Sequence, residues 1–121
     1  MKKHLIIIGK AGSGKSRSMN ILSKILPKDE IKYIDGRKWE HDHFSFSICE
    51  KNTKYVVIDD IEDPNLRKFL SYTQGIFVEK RMENPFQIYP KIILIFHECI
   101  NLTDLEKHYK NVNLRFNVEE F

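Results

Sequence analysis

Apolar residues fall in short unbroken runs along most of the chain, the pattern of strands buried on both faces, as in a parallel sheet. The first run, Leu5 to Ile8, stops at Gly9. From Lys15 onward, Met19, Leu22, Ile25 and Leu26 recur at helical spacing until Pro27, which cannot continue a helix and marks its end. Ile31 to Ile34 then gives a second strand, and a right-handed crossover would set it parallel to the first. A third run, Tyr55 to Ile58, ends at Asp59-Asp60; Pro64 opens a segment whose Leu66, Phe69, Leu70 and Thr73 fall on one helical face. Ile92 to Phe96 is the most apolar run and is predicted to be a central strand.

Elsewhere the pattern changes. Between Gly36 and Asn52, Phe44, Phe46 and Ile48 alternate as a strand would, but the stretch is read no further and its structure stays open. Ile76 to Glu79 and Phe86 to Tyr89 flank Lys80-Arg81-Met82-Glu83-Asn84-Pro85, whose Asn-Pro pair favours a turn, so a hairpin with a charged tip is predicted. Thr103 followed by Glu106 has the spacing of a capping box and predicts a short helix through Tyr109. At the end, Val112, Leu114, Phe116 and Val118 alternate with Asn113, Arg115 and Asn117, which would turn Arg115 away from the buried face.

These elements predict a three-layer α/β domain with a mainly parallel sheet flanked by helices and a projecting β-hairpin. At 121 residues and 41% hydrophobic the chain can bury one core, so residues 1–121 are read as a single domain. A net charge of +3 permits a polyanionic partner without demanding one. The start, basic and then apolar for only a few residues, is too short for a secretory signal, and no run approaches the ~20 apolar residues of a membrane span. Two cysteines, Cys49 and Cys99, lack metal-ligand spacing. A cytoplasmic protein with free thiols and no membrane contact is expected.

The sharpest chemical signal lies between the first strand and the following helix. Gly9-Lys10-Ala11-Gly12-Ser13-Gly14-Lys15-Ser16 fits G-x-x-x-x-G-K-[ST] at every fixed position, with Arg17 next on the helix. Random placement of that pattern in a chain of this length is on the order of 0.5%, and the strand and helix around it make chance a poorer explanation still. The physics is direct: glycines let backbone N–H groups turn inward on a triphosphate, the helix N-terminus adds partial positive charge, and Lys15 neutralises the β and γ phosphates. Ser16 would offer its hydroxyl to Mg²⁺.

Tyr55-Val56-Val57-Ile58-Asp59-Asp60 has the form of a Walker B element, an apolar strand that lifts a carboxylate to the metal beside Ser16. Asp59 is the expected metal ligand. Asp60 stands where a carboxylate would polarise the attacking water. An apolar run ending in two aspartates also occurs where Asp caps a following helix or turn; the preceding phosphate loop favours the functional reading.

With those elements placed, the chain resembles the superfamily-3 helicases, AAA+-related ATPases of small viral and mobile-element replication proteins, from about His4 to Val118. In that family the Walker B strand leads to a short helix, a Gly and a β-hairpin carrying a basic residue that touches single-stranded DNA inside a ring. Leu66 to Gln74, Gly75, Ile76 to Lys80 and the Lys80-Arg81 tip stand in that order. A Pro and an apolar strand ending in a polar sensor residue are matched by Pro90 and Ile92 to Phe96; where the family has Asn after Thr or Ser, this chain reads Phe96-His97-Glu98, which puts His97 at the sensor position. The family's late arginine, which reaches a neighbouring subunit's γ-phosphate, is matched by Arg115. The resemblance implies Mg²⁺-dependent ATP or other NTP hydrolysis on DNA, and assembly as a homo-oligomer or with a replication-protein partner.

Two other functions stay open on the residues alone. A small-molecule kinase with a P-loop could bind its phosphate acceptor near Asp35 and Arg37, just after the second strand. A non-catalytic, nucleotide-gated binding module would suit the altered sensor and the lack of an assembly segment. His41-Asp42-His43 has i, i+2 spacing without a second ligand pair and reads as a solvated loop, so no metal besides Mg²⁺ is assigned.

Overall fold

The computed structural model describes residues 4–9, 20, 24–39, 45–109 and 112–120. The strands are β1 (His4–Ile8), β2 (Ile31–Asp35), β3 (Tyr55–Ile61), β4 (Ile76–Val78), β5 (Phe86–Ile88), β6 (Lys91–Phe96) and β7 (Phe116–Glu120). Between them lie α1 (Gly36–Trp39), α2 (Arg67–Leu70) and α3 (Leu102–His108), with 3-10 turns at Ser45–Ile48, Ser71–Gln74 and Val112–Leu114. The main sheet has five strands in the order β2-β3-β6-β1-β7, and every pairing in it is parallel. The expected α/β architecture with a parallel sheet is therefore present, and β6 occupies the central place its apolar run predicted.

The unbroken runs have a simple cause. Ile6, Ile8, Val56, Ile58, Ile92, Leu94 and Phe96 belong to one buried cluster, while the intervening Ile7, Val57, Ile93 and Ile95 belong to a second. Alternate residues of a strand face opposite sides of its sheet, so both faces are dry and every position must be apolar. The first cluster is closed by Leu66 and Phe69 around α2, Leu105 of α3, and Ile76, Val78 and Ile88 of the hairpin. Leu26 packs on the second, just before Pro27 and after helical Lys24 and Ile25. Ile25 was expected on that apolar face and is instead exposed.

The hairpin β4-β5 forms an antiparallel two-stranded sheet with Phe77 opposite Gln87. Its inner residues Ile76, Val78 and Ile88 join the core, so only its outer face and the turn from 81 to 85 stand in solvent. Gly75 enters it at φ 127°, where a Cβ would also sit 2.7 Å from Gln87 Nε2 and 2.9 Å from Tyr89. Only glycine adopts that backbone without strain.

Three local expectations need correction. The alternation Phe44, Phe46, Ile48 is not a strand: 45–48 is a 3-10 turn, and Phe44 lies outside the described residues. The capping box is Asn101 with Asp104, not Thr103 with Glu106. Asn101 Oδ1 accepts from Asp104 N at 2.9 Å, and Asp104 Oδ2 accepts from Asn101 N at 3.1 Å. Both pairs have the required spacing; Asn caps better than Thr, and Ile100, buried and tied by its N–H to His97 O, turns the chain just before Asn101. Finally, Val112 and Phe116 are buried but Leu114 is 70% exposed, because a 3-10 turn separates them and strand alternation begins only at Phe116.

Candidate active site at the carboxyl ends of the strands

In an open parallel sheet, groups displayed at the carboxyl ends of adjacent strands converge on one edge. The strand order places β6 between β1 and β3. Gly9 at the end of β1, His97 at the end of β6 and Asp59-Asp60 at the end of β3 therefore share that edge, with ~4.8 Å between neighbouring strands and about 10 Å from first to last. Gly9 is the part of the predicted phosphate loop that is described; Lys10, Ala11, Gly12, Ser13, Gly14, Lys15, Ser16 and Arg17 lie outside the described residues, as do His41, Asp42 and His43.

The end of β3 is bent by a bulge. Ile58 pairs with Leu94 and Ile61 with Phe96, three steps on one strand against two on the other. The extra residue lets Asp59 and Asp60 leave the ladder with β6, while Asp59 keeps its pairing with β2. Asp60 takes up φ 60°, a left-handed conformation that costs about 1–2 kcal/mol in most residues and that Asp tolerates better than most. Asp59 is exposed, and its Oδ1 accepts the Asp60 N–H at 2.7 Å.

The neighbouring strand supplies a cation. Asp35 pairs in register with Asp59, and Arg37, two residues on, donates its backbone N–H to Asp35 Oδ1 at 2.9 Å. Arg37 Nε lies 3.0 Å from Asp60 Oδ2 and 3.7 Å from Asp35 Oδ1. Gly36 makes this approach possible, because a Cβ there would be 2.6 Å from the carbonyl oxygen of Asp59. Only the kinase alternative gave Arg37 a role, binding the acceptor; in the structure its side chain pairs with Asp60 and, at longer range, Asp35.

His97 is fixed from the other side. Its N–H bonds to Ile61 O at 2.8 Å, its Nδ1 lies 3.0 Å from Cys99 Sγ, and the Cys99 N–H reaches the same nitrogen at 3.3 Å. One donor atom each of Asp60, Glu62 and His97 lies within 4.8 Å of the others. Glu62 is the residue that sequence reading missed. The available signal was only its place two residues after Asp60; the side it faces is set by the bulge and by the left-handed residue Asp60, not by strand alternation.

Arg115 does not join this cluster. Its carbonyl accepts the N–H of His4, at the start of β1, so it sits at the amino edge of the sheet, roughly 16 Å from the carboxyl edge. Half-buried rather than turned outward, it donates from Nη1 to Thr73 Oγ1 at 3.0 Å and more weakly to Leu70 O at 3.4 Å. Lys80 also departs from expectation: its side chain is 17% exposed and paired with Glu50, whose carboxyl that hydrogen bond holds below its usual range. Arg81 and Met82 are exposed at the tip, and Lys51 Nζ stands 5.7 Å above the ring of Phe86. Of the two thiols, Cys99 is exposed, whereas burial pushes Cys49 up to about 11 and leaves it a core residue.

No protein-family profile matches the chain, and no curated protein does. Solved structures do. The A-form apo structure of the NrS-1 C-terminal region superposes with a TM-score of 0.64 at 17% identity, covering 98% of this chain. A second A-form apo structure of that region gives 0.63, again at 17% identity and 98% coverage. This chain shares their fold, and it spans 28% of the length of each. Among the described residues no helix is long and apolar enough to cross a membrane.

Proposed function

We propose that the chain binds a Mg²⁺-nucleoside triphosphate, ATP in the first instance, at the carboxyl edge of its sheet and hydrolyses it, as the motor core of a superfamily-3-type helicase acting on DNA. The observation that carries this reading is the arrangement of β1, β6 and β3, which brings the start of the phosphate-loop motif, a polar residue at the sensor position and two bulged aspartates to one edge. A three-layer P-loop domain is the fold that such a reading requires, and the all-parallel sheet with two buried faces is consistent with it.

The residues suit the roles. Carboxylate oxygens are the hard donors that Mg²⁺ takes, and exposed Asp59 with Ser16 would hold it, while Lys15 and the loop amides bind the β and γ phosphates. When bound, Mg²⁺ would supply charge neutralisation on the phosphate oxygens. Asp60 would orient the attacking water through the oxygen that Arg37 does not engage, since Arg37 reaches Oδ2. His97, its backbone tied to Ile61 beside Asp60, would steady that water or the γ-phosphate. Arg81 at the exposed hairpin tip would meet single-stranded DNA, with Lys80 bracing the hairpin through Glu50. Arg115 as a finger toward a neighbouring subunit would have to give up its bonds to Thr73 and Leu70.

The mechanism is tested by two substitutions. Lys15→Ala should abolish tight binding of Mg-ATP measured calorimetrically. Asp60→Asn should retain binding and lose turnover by at least about 100-fold in a phosphate-release assay. Wild-type hydrolysis in both variants would remove the mechanism.

A further inference from the structure

The cluster at the ends of β3 and β6 has a donor set different from that of a magnesium site. Asp60 and Glu62 leave the same strand two residues apart, His97 faces them from the next, and one donor atom of each lies within 4.8 Å of the other two. Two carboxylates so close repel one another, and Arg37 at 3.0 Å from Asp60 compensates a single charge. We propose that Asp60, Glu62 and His97 form a binding site for a first-row transition dication, Zn²⁺ in particular, separate from the Mg²⁺ that accompanies the nucleotide.

The donor chemistry selects the metal. One imidazole nitrogen with two carboxylate oxygens is a set that Zn²⁺ accepts at distances of about 2.0–2.2 Å, with water completing a tetrahedron. Mg²⁺ prefers an all-oxygen octahedron and gives up water reluctantly. Tetrahedral binding would bring the donors to about 3.4 Å from one another, a contraction to which exposed Glu62 contributes by changing rotamer and half-buried Asp60 and His97 by small side-chain turns. The imidazole has the outer support that ligating histidines use. Nδ1 faces Cys99, which leaves Nε2 for the metal. Coordination through Nε2 puts the ring proton on Nδ1, which gives up the 3.3 Å bond from the Cys99 N–H and donates instead to Cys99 Sγ at 3.0 Å. The site needs no oxidant and no other co-reactant.

A bound dication would also engage the carboxylate assigned above to the attacking water, making Zn²⁺ an inhibitor of turnover. That consequence rests on the proposed hydrolysis, so binding is measured on nucleotide-free protein and the two ideas can fail separately. Co²⁺ is the probe, read by its visible ligand-field absorption and displaced by Zn²⁺. His97→Ala and Glu62→Gln should each weaken binding at least about tenfold. Arg37→Ala should tighten it, because a competing cation leaves Asp60. A His41→Ala/His43→Ala double variant should bind as the wild type does. Absence of a Co²⁺ spectrum, unchanged affinity in His97→Ala, weaker affinity in Arg37→Ala, or loss of binding in the double variant would each overturn the assignment.

Discussion

The two edges of the one parallel sheet treat polar side chains in opposite ways. At the amino edge, His4 Nδ1 accepts the Ile92 N–H at 2.9 Å, and Arg115 donates to Leu70 O and Thr73 Oγ1. These groups are half-buried and bonded to strands and turns that are distant in sequence, so they act as cross-links. At the carboxyl edge, Arg37 pairs with Asp60, Asp59 accepts the Asp60 N–H, His97 meets Cys99 two residues on, and Asp60, Glu62 and His97 crowd within 4.8 Å, beside a strand bent by a bulge and a left-handed residue. Polar groups that satisfy the fold contribute stability; polar groups held by one another at a strained edge are available for a ligand.

If that contrast is right, substitutions at the two edges should separate function from stability. The largest effect belongs to Asp60→Asn: a loss of turnover of at least about 100-fold with little change in unfolding free energy, since Asn also tolerates a left-handed φ and the Arg37 pair is substantially exposed. Equal loss of stability and turnover would erase the distinction. Gly36→Ala comes next and should damage both properties, because its Cβ would press on the Asp59 carbonyl at 2.6 Å. A cost of about 1–3 kcal/mol in urea unfolding is expected, together with weaker Mg-ATP binding. Arg115→Ala should cost about 1–2 kcal/mol through its lost hydrogen bonds and leave nucleotide affinity of the monomer unchanged in the same titration. A change in that affinity would bring Arg115 into the site.

The legible parts of this fold share a physical reason, and so do the illegible ones. Strands β1, β3 and β6 could be read from sequence because burial on both faces forces continuous apolar runs, and Pro27 and Gly75 punctuate the chain through backbone constraints of their own. The bulge at Asp59-Asp60 could not, since it is defined by register against β6, which lies about 35 residues away. For the same reason Lys80 looked like a free hairpin cation, although Glu50 is its partner. Arg115 was misdirected by an alternation that spans a 3-10 turn: Leu114 mimics a strand residue while standing 70% exposed. At the site, Asp59, Asp60 and His97 were named from motif position, and the structure puts them at one edge. Arg37 as a partner of Asp60 depends on which strands are neighbours, and Glu62 beside it on the bulge in β3, properties that local spacing does not carry.

The smallest predicted effect sharpens the account of the amino edge through pH. His4 has its pKa lowered from 6.5, chiefly by burial, with nearby Lys91 and Arg115 adding repulsion and a hydrogen bond to the Thr73 backbone opposing them. The fold therefore prefers the neutral ring, whose Nδ1 is the acceptor for Ile92 N–H. A histidine depressed in the folded state contributes stability that is complete above its unfolded pKa and is lost as pH falls toward the folded one. Urea midpoints should accordingly hold steady from about pH 8 to 7 and decline below about pH 6.5. His4→Gln should lower the midpoint at neutral pH and flatten that decline, because glutamine cannot titrate. A decline of undiminished slope in the variant would take the pH sensitivity away from His4 and would overturn its role as a titrating cross-link of the amino edge.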